Sequence, residues 1–286
     1  MPTIAEPLPE YIPSGLHTLR HLPDARRRCW TASDGESGLQ VLVKFAADQR
    51  QNQAGDGLYH EANVLKQVCG SWFPTLLRSD LHGDKPWMLY EVNGRPLSAR
   101  LETSALSIPT AVLMLRQCLE GLQVLSLAGY AHGSICPDTI WMDDFGSVQF
   151  VHLESAVETD RPGSSLSLIS EDQPSYIAPQ CFQTDTKTAS IDIFAAAVLF
   201  LDAVNPNVTN ENDLGAVRFV RRQDAHNRVD DLPLVAELSE ILYSMLEADT
   251  ESRETNLERL IADLVNVELM TMADRFRFPA LQSAQH

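Results

Sequence analysis

Tyr130–Glu154 reads YAHGSICPDTIWMDDFGSVQFVHLE, and the fold turns on how this stretch is parsed. Ile140–Met142 and Ser147–Val151 are short apolar runs separated by Asp143-Asp144-Phe145-Gly146. Asp-x-Gly is ordinary turn chemistry, so the pattern predicts a short hairpin. Ahead of it, Pro109–Gly129 places Val112, Leu115, Cys118, Leu119, Leu122 and Leu125 on one broad stripe, which predicts an amphipathic helix. Behind it, Glu154–Ser175 is rich in Ser with Pro and Gly, and predicts a loop.

Further out, the two ends of the chain differ. In the N-terminal third, Arg27–Ala32 and Leu39–Phe45 flank the turn Asp34-Gly35-Glu36-Ser37-Gly38, a hairpin pattern. Gly57–Val68 carries Leu58, Ala62, Leu65 and Val68 at helical spacing, and Pro86–Val92 is an apolar strand ended by Asn93-Gly94. The C-terminal part predicts helices over Ile191–Ala203, Leu234–Leu246 and Leu257–Met272. No repeat with a period of 20–50 residues is present. The pattern predicts an α+β chain: a small β-rich lobe, then a larger helical lobe, joined near Glu91–Gly94 without a long linker.

Length and charge narrow the function classes. The 286 residues allow one large domain or two lobes and a sizeable core. With 22 Lys+Arg against 39 Asp+Glu the net charge is −17, which disfavours phosphate backbones and anionic lipid as partners. Arg26-Arg27-Arg28 reads as a solvated strand end. The five cysteines are odd in number and form no CxxC pair, which argues for a reducing compartment. Met1–Gly15 lacks the apolar core of a signal peptide. The longest apolar run, Ile193–Leu201, falls well short of the roughly 20 residues that span a bilayer. A soluble cytoplasmic protein with no membrane insertion and no nucleic-acid partner is expected.

The order of elements resembles a protein kinase, and seven stretches carry the resemblance. Val41-Leu42-Val43-Lys44 resembles the third-strand Val-Ala-Ile-Lys, and Glu61 stands in register with the helix glutamate that pairs with its lysine. Trp87-Met88-Leu89-Tyr90-Glu91 resembles the gatekeeper and hinge strand. His132–Thr139 lies where His-Arg-Asp-Leu-x-x-x-Asn belongs. Tyr176–Gln180 resembles the Ala-Pro-Glu region, Ser190–Phe194 the start of the long buried helix, and Asp249–Arg253 the Asp-Pro-x-x-Arg-Pro turn. The likeness covers about Arg20–Leu264. It implies a two-lobed kinase-like fold with an N-terminal extension (1–19), an N-lobe (20–92), a C-lobe (93–268) and a C-terminal tail (269–286).

Matched against the family, the chemistry has changed. Ser134 stands at the catalytic aspartate and Thr139 at the magnesium asparagine. Asp144-Phe145-Gly146 comes too soon to be the metal-binding Asp-Phe-Gly, and counting from Ser134 lands instead on His152-Leu153-Glu154. A general base contributes roughly 10²–10⁴-fold and the metal several kcal/mol more, so loss of all three leaves phosphoryl transfer negligible by the usual mechanism. Leu22–Ala32 contains no glycine where the family cradles phosphate with Gly-x-Gly-x-x-Gly. Leu42, Tyr90 and Trp141 are expected to fill the space of the adenine. Lys44 and Glu61 remain as a residual nucleotide-site pair, whose plainer role is a salt bridge docking the helix on the sheet. Leu65, His132, Leu153 and Asp192 match the family's hydrophobic column and its anchor. Gln180 replaces the Ala-Pro-Glu glutamate, which leaves Arg253 at best a neutral acceptor there.

The resemblance therefore implies a degenerate kinase relative, a pseudokinase, with no catalytic residues, no cofactor and no metal. Such a protein is expected to act as a scaffold or allosteric regulator, its partner a protein such as an active kinase or another signalling or assembly component. The alternative is an unconventional transferase, with displaced acids Asp138, Asp144 or Glu154, or a metal-independent nucleotide sensor using Lys44 and Glu61. Ser164, Ser165, Ser167, Ser170 and Ser175 read as a solvated loop, and Cys136 as packed rather than reactive.

Overall fold

The computed structural model describes residues 12–22, 28–46, 54–83, 85–159, 176, 178, 189–206, 225–249 and 251–277. The chain forms two compact units, Met1–Gly94 with Gln149–Ser155, and Arg95–Val148 with Ala156–His286.

The first unit is built on an antiparallel sheet of β1 (Leu16–His21), β2 (Arg28–Asp34), β3 (Gln40–Phe45), β4 (Thr75–Asp80) and β5 (Trp87–Glu91), in the order β1-β2-β3-β5-β4. The hairpin expected around residues 34–38 is present as β2 and β3. The two strands that the sequence did not signal, β1 and β4, are the sheet's edges. Neither strand contains a fully buried residue, so their sequences, LHTLRH and TLLRSD, carry no clear alternation. Side chains alternate along a strand, and Val41, Val43 and Phe45 pack with Trp30, Ala32, Trp87 and Leu89 in one core. Leu42 and Lys44 therefore point to the opposite face. Both faces of β3 are covered, which is why the strand reads as a continuous apolar run interrupted only by the lysine.

Helix α1 (Ala54–Leu65) lies on that second face. It buries Leu58 and Ala62 as expected and adds Val64; Val68 is buried beyond the helix end, and Leu65 is half-buried. The segment Gln149–Ser155 joins the same unit by backbone bonds. Phe150 N donates to Trp72 O (2.7 Å), and Asn93 N donates to Gln149 Oε1 (2.8 Å). These bonds set the 3-10 turn Leu153–Ser155 against α1.

The second unit holds β6 (Arg95–Pro96), α2 (Leu97–Leu101), α3 (Ile108–Leu127), β7 (Tyr130–Ala131) and β8 (Ile140–Met142). Strand β9 (Val148–Phe150) carries the chain back to the first unit. There follow β10 (Val157–Glu158), α4 (Ala189–Val204), α5 (225–230), α6 (Ala236–Leu246) and α7 (Leu257–Arg277). Helix α3 starts at Ser107, whose hydroxyl accepts from Thr110 N (3.4 Å), with Pro109 in the first turn. Every residue of its predicted stripe is buried. Residues 190–203 of α4 are all buried, so the chain's most apolar run is a core helix packed on α3 and α6. Where a loop is expected from Glu154 onward, Val157 and Glu158 form a short strand paired with Ala131 and Tyr130. Among the described residues no helix is long and apolar enough to cross a membrane.

Candidate functional site

In the first unit the site grows from Lys44. Strand β3 points its ammonium at α1, where Glu61 Oε2 lies 2.5 Å away, and Glu154 Oε2 from the 3-10 turn lies 2.6 Å away. The expected Lys44–Glu61 pair is formed. Glu154 is a second carboxylate on the same ammonium, across 110 positions of sequence, and no local signal announces it. Side-chain exposure rises outward through the cluster, from 0% at Glu61 to 5% at Lys44 and 22% at Glu154. Glu61 Oε1 also accepts from Leu153 N (3.1 Å), so the buried carboxylate uses both oxygens. Burial pushes the Glu61 carboxyl up from its ordinary range; the Lys44 ammonium pulls it down and the Glu154 carboxylate adds to the rise.

His152 precedes this turn, buried, with φ at +73°. A left-handed backbone costs a non-glycine residue about 1–2 kcal/mol, and such conformations gather at functional sites. Its ring joins Glu61 and Glu154 to bring three ligand-type atoms within 4.8 Å of one another. Histidine spacing along the sequence gave no hint of this group, because His152 and Glu61 meet only through the fold. The three suit a transition ion better than magnesium, which favours oxygen. Lys44 is already seated on both carboxylates.

Leu42 and Tyr90 stand opposite each other in the β3–β5 register, both buried in the first unit. Trp141, expected to share a cavity with them, is buried in the second unit on β8, opposite Pro96.

The second unit contains the loop His132–Thr139, tied to the first turn of α4. Asp192 Oδ2 accepts from His132 N (2.6 Å) and Oδ1 from Gly133 N (2.9 Å). Gly133 adopts φ +73°, which turns its N–H onto the carboxylate. Ser134 N donates to His132 Nδ1 (3.3 Å). Thr139 is fully buried; its hydroxyl donates to Ser134 O (2.8 Å) and accepts from Cys136 N (3.1 Å). The hydroxyl is thus consumed in closing its own loop. Cys136 is buried, and burial pushes its thiol up.

Asp143–Gly146 is the predicted turn. Gly146 N donates to Asp143 O (3.2 Å), Asp143 Oδ1 accepts from Phe145 N and Ser147 N, and Phe145 is 92% exposed. Arg253 donates to Glu247 O (2.7 Å) and Ser190 O (2.9 Å) with its guanidinium 5.1 Å from the Phe194 ring. Gln180, its expected acceptor, lies outside the described residues, as do Ser164, Ser165, Ser167, Ser170 and Ser175. A network that sequence reasoning missed joins Tyr176, Asp202 and Arg228: the tyrosine hydroxyl donates to Asp202, and Arg228 Nη2 is 2.5 Å from the same carboxylate. Asp202, an aspartate near the C-terminal end of an apolar helix, was its one trace.

The description "protein tyrosine and serine/threonine kinase" fits residues 25–264, and the chain belongs to that family. It is also similar to the serine/threonine-protein kinase ste20 of Emericella nidulans, 21% identical over 216 residues. That alignment covers 74% of this chain and 25% of the relative, so the chain spans about a quarter of that protein's length. The α+β, two-lobed kinase fold is thereby established, with the five-stranded sheet in the N-terminal part and the helices in the C-terminal part.

Proposed function

We propose that this kinase-family chain does not transfer phosphate and serves as a pseudokinase, a scaffold or allosteric regulator that binds a protein partner in a cytoplasmic signalling or secretion-type assembly. The observation that carries the reading is Thr139. At the position matched to a magnesium-binding asparagine, its hydroxyl already donates to Ser134 O and accepts from Cys136 N. A metal would have to break that closure. Ser134, at the position matched to the catalytic aspartate, offers a hydroxyl in place of a base. His152, matched to the metal-binding aspartate, offers an imidazole that magnesium takes poorly. The division into N-lobe 20–92 and C-lobe 93–268, and the expectation of no cofactor, belong to the same proposal.

The formed Lys44–Glu61 pair favours a second reading, a metal-independent nucleotide sensor or an unconventional transferase. Thermal melting with ATP, with and without magnesium or manganese, separates the two. A ligand at 100 times its Kd adds about 2.7 kcal/mol of stability. No shift is expected. A metal-independent shift selects the sensor, and a metal-dependent shift accompanied by phosphate transfer overturns the pseudokinase.

A further inference from the structure

We propose that Lys44 is the base of a latent oxyanion site in which the chain's own Glu154 carboxylate holds the place of a polyphosphate oxyanion. The inference rests on the pseudokinase reading and adds to it a reason why an intact Lys44–Glu61 pair binds no phosphate. An ammonium has three N–H donors, and here one points at Glu61 and one at Glu154. The two carboxylates are not equivalent. Glu61 is completely buried, takes a second hydrogen bond from Leu153 N, and holds helix α1 to the sheet. Glu154 comes from the 3-10 turn. It lies on the outer side of Lys44, more exposed than either partner, with a carboxylate oxygen 2.6 Å from the ammonium, hydrogen-bond distance for any charged oxygen.

The backbone is arranged for this placement. His152 takes a left-handed conformation, Leu153 anchors to Glu61, and the 3-10 turn then sets Glu154 over Nζ. The Cβ of Glu154 comes within 3.6 Å of the point where a side chain on Gly57 of α1 would begin, so the stem is flanked by the helix. A free oxyanion approaching Lys44 meets a carboxylate a few ångströms away. At an effective dielectric constant near 20 that like-charge contact weakens binding on the order of 100-fold or more.

The test uses the full chain with inorganic tripolyphosphate and ATP, both without metal, read by thermal melting and calorimetric titration. Glu154→Ala is expected to bind tripolyphosphate on the order of 100-fold more tightly than the wild type. Glu154→Gln keeps the shape and an acceptor, and is expected to give an intermediate gain in a protein that melts like the wild type. Adding Lys44→Met to Glu154→Ala is expected to abolish the gain. If the folded Glu154 variants bind no more tightly than a silent wild type, the latent site is wrong while the pseudokinase reading stands. If the gain survives Lys44→Met, the anion sits elsewhere and the proposal falls. A wild type that shows a magnesium-dependent shift with ATP and transfers its phosphate refutes the pseudokinase reading as well.

Discussion

Replacing Thr139 by valine isolates the bond that the proposed function relies on. Valine has nearly the same volume, so the change opens no cavity and removes only the hydroxyl. Two backbone groups lose their partner: Cys136 N, which donated to Oγ1 at 3.1 Å, and Ser134 O, which accepted from it at 2.8 Å. Thr139 is fully buried. A buried donor left unsatisfied costs about 1–3 kcal/mol, so the pair of losses is worth about 2–3 kcal/mol. For a chain of this size each kcal/mol moves Tm by about 2–4 °C, giving an expected fall of about 4–12 °C. Thr139→Ser is the control. It keeps the hydroxyl and deletes one methyl, and should recover more than half of the loss. Melting followed by circular dichroism, with the two variants side by side, measures both. A Thr139→Val protein as stable as the wild type would refute the argument, because the hydroxyl would then be free for another ligand.

Two further outcomes follow from titration. Glu61 has a folded-state pKa raised above its ordinary value of 4.5 by burial. Between that value and its raised one the folded state holds more protons than the unfolded, so stability falls as pH rises through the window. Urea unfolding of wild type and Glu61→Gln should show the wild type's advantage shrinking from pH 4.5 upward; an advantage that grows with pH contradicts the burial argument. Cys118 has a thiol pushed up to about 12 by burial, whereas Cys69 is exposed. Peptide mapping after brief iodoacetamide treatment at pH 8 should find Cys69 labelled and Cys118 labelled only in denaturant; native labelling of Cys118 would show that α3 opens.

The sequence was most legible where one period ruled a whole element. The stripe on α3 and the apolar run of β3 each report a burial pattern carried through most of an element, and both match the structure. Strands β1 and β4 were illegible because neither buries a residue fully, and exposed positions accept almost any residue. The site divides the same way. Lys44, Glu61, His132 and Asp192 were found because motif order places them, although nothing local says that Asp192 accepts two backbone N–H bonds. Glu154 on Lys44, and Asp202 with Tyr176 and Arg228, went unread because each contact is one long-range pair with no period behind it.

Thr139 and Glu154 share a logic under the proposed reading. Thr139 stands at the position matched to a magnesium-binding asparagine and Glu154 two residues beyond the one matched to the metal-binding aspartate, and each commits an oxygen to the chain's own groups, Thr139 to the backbone of its loop and Glu154 to Lys44. Deleting such a residue is different from deleting a catalytic one. A catalytic group can be removed with little effect on stability, because it is satisfied by ligand or water; the fully buried Thr139 hydroxyl is satisfied by protein. Restoring the family residue, as in Thr139→Asn, therefore has to undo an existing hydrogen-bond closure before it can supply a metal ligand. Thr139→Asn should consequently lower Tm without producing a magnesium-dependent shift with ATP, and a variant that gains both stability and metal response would place Thr139 outside this logic.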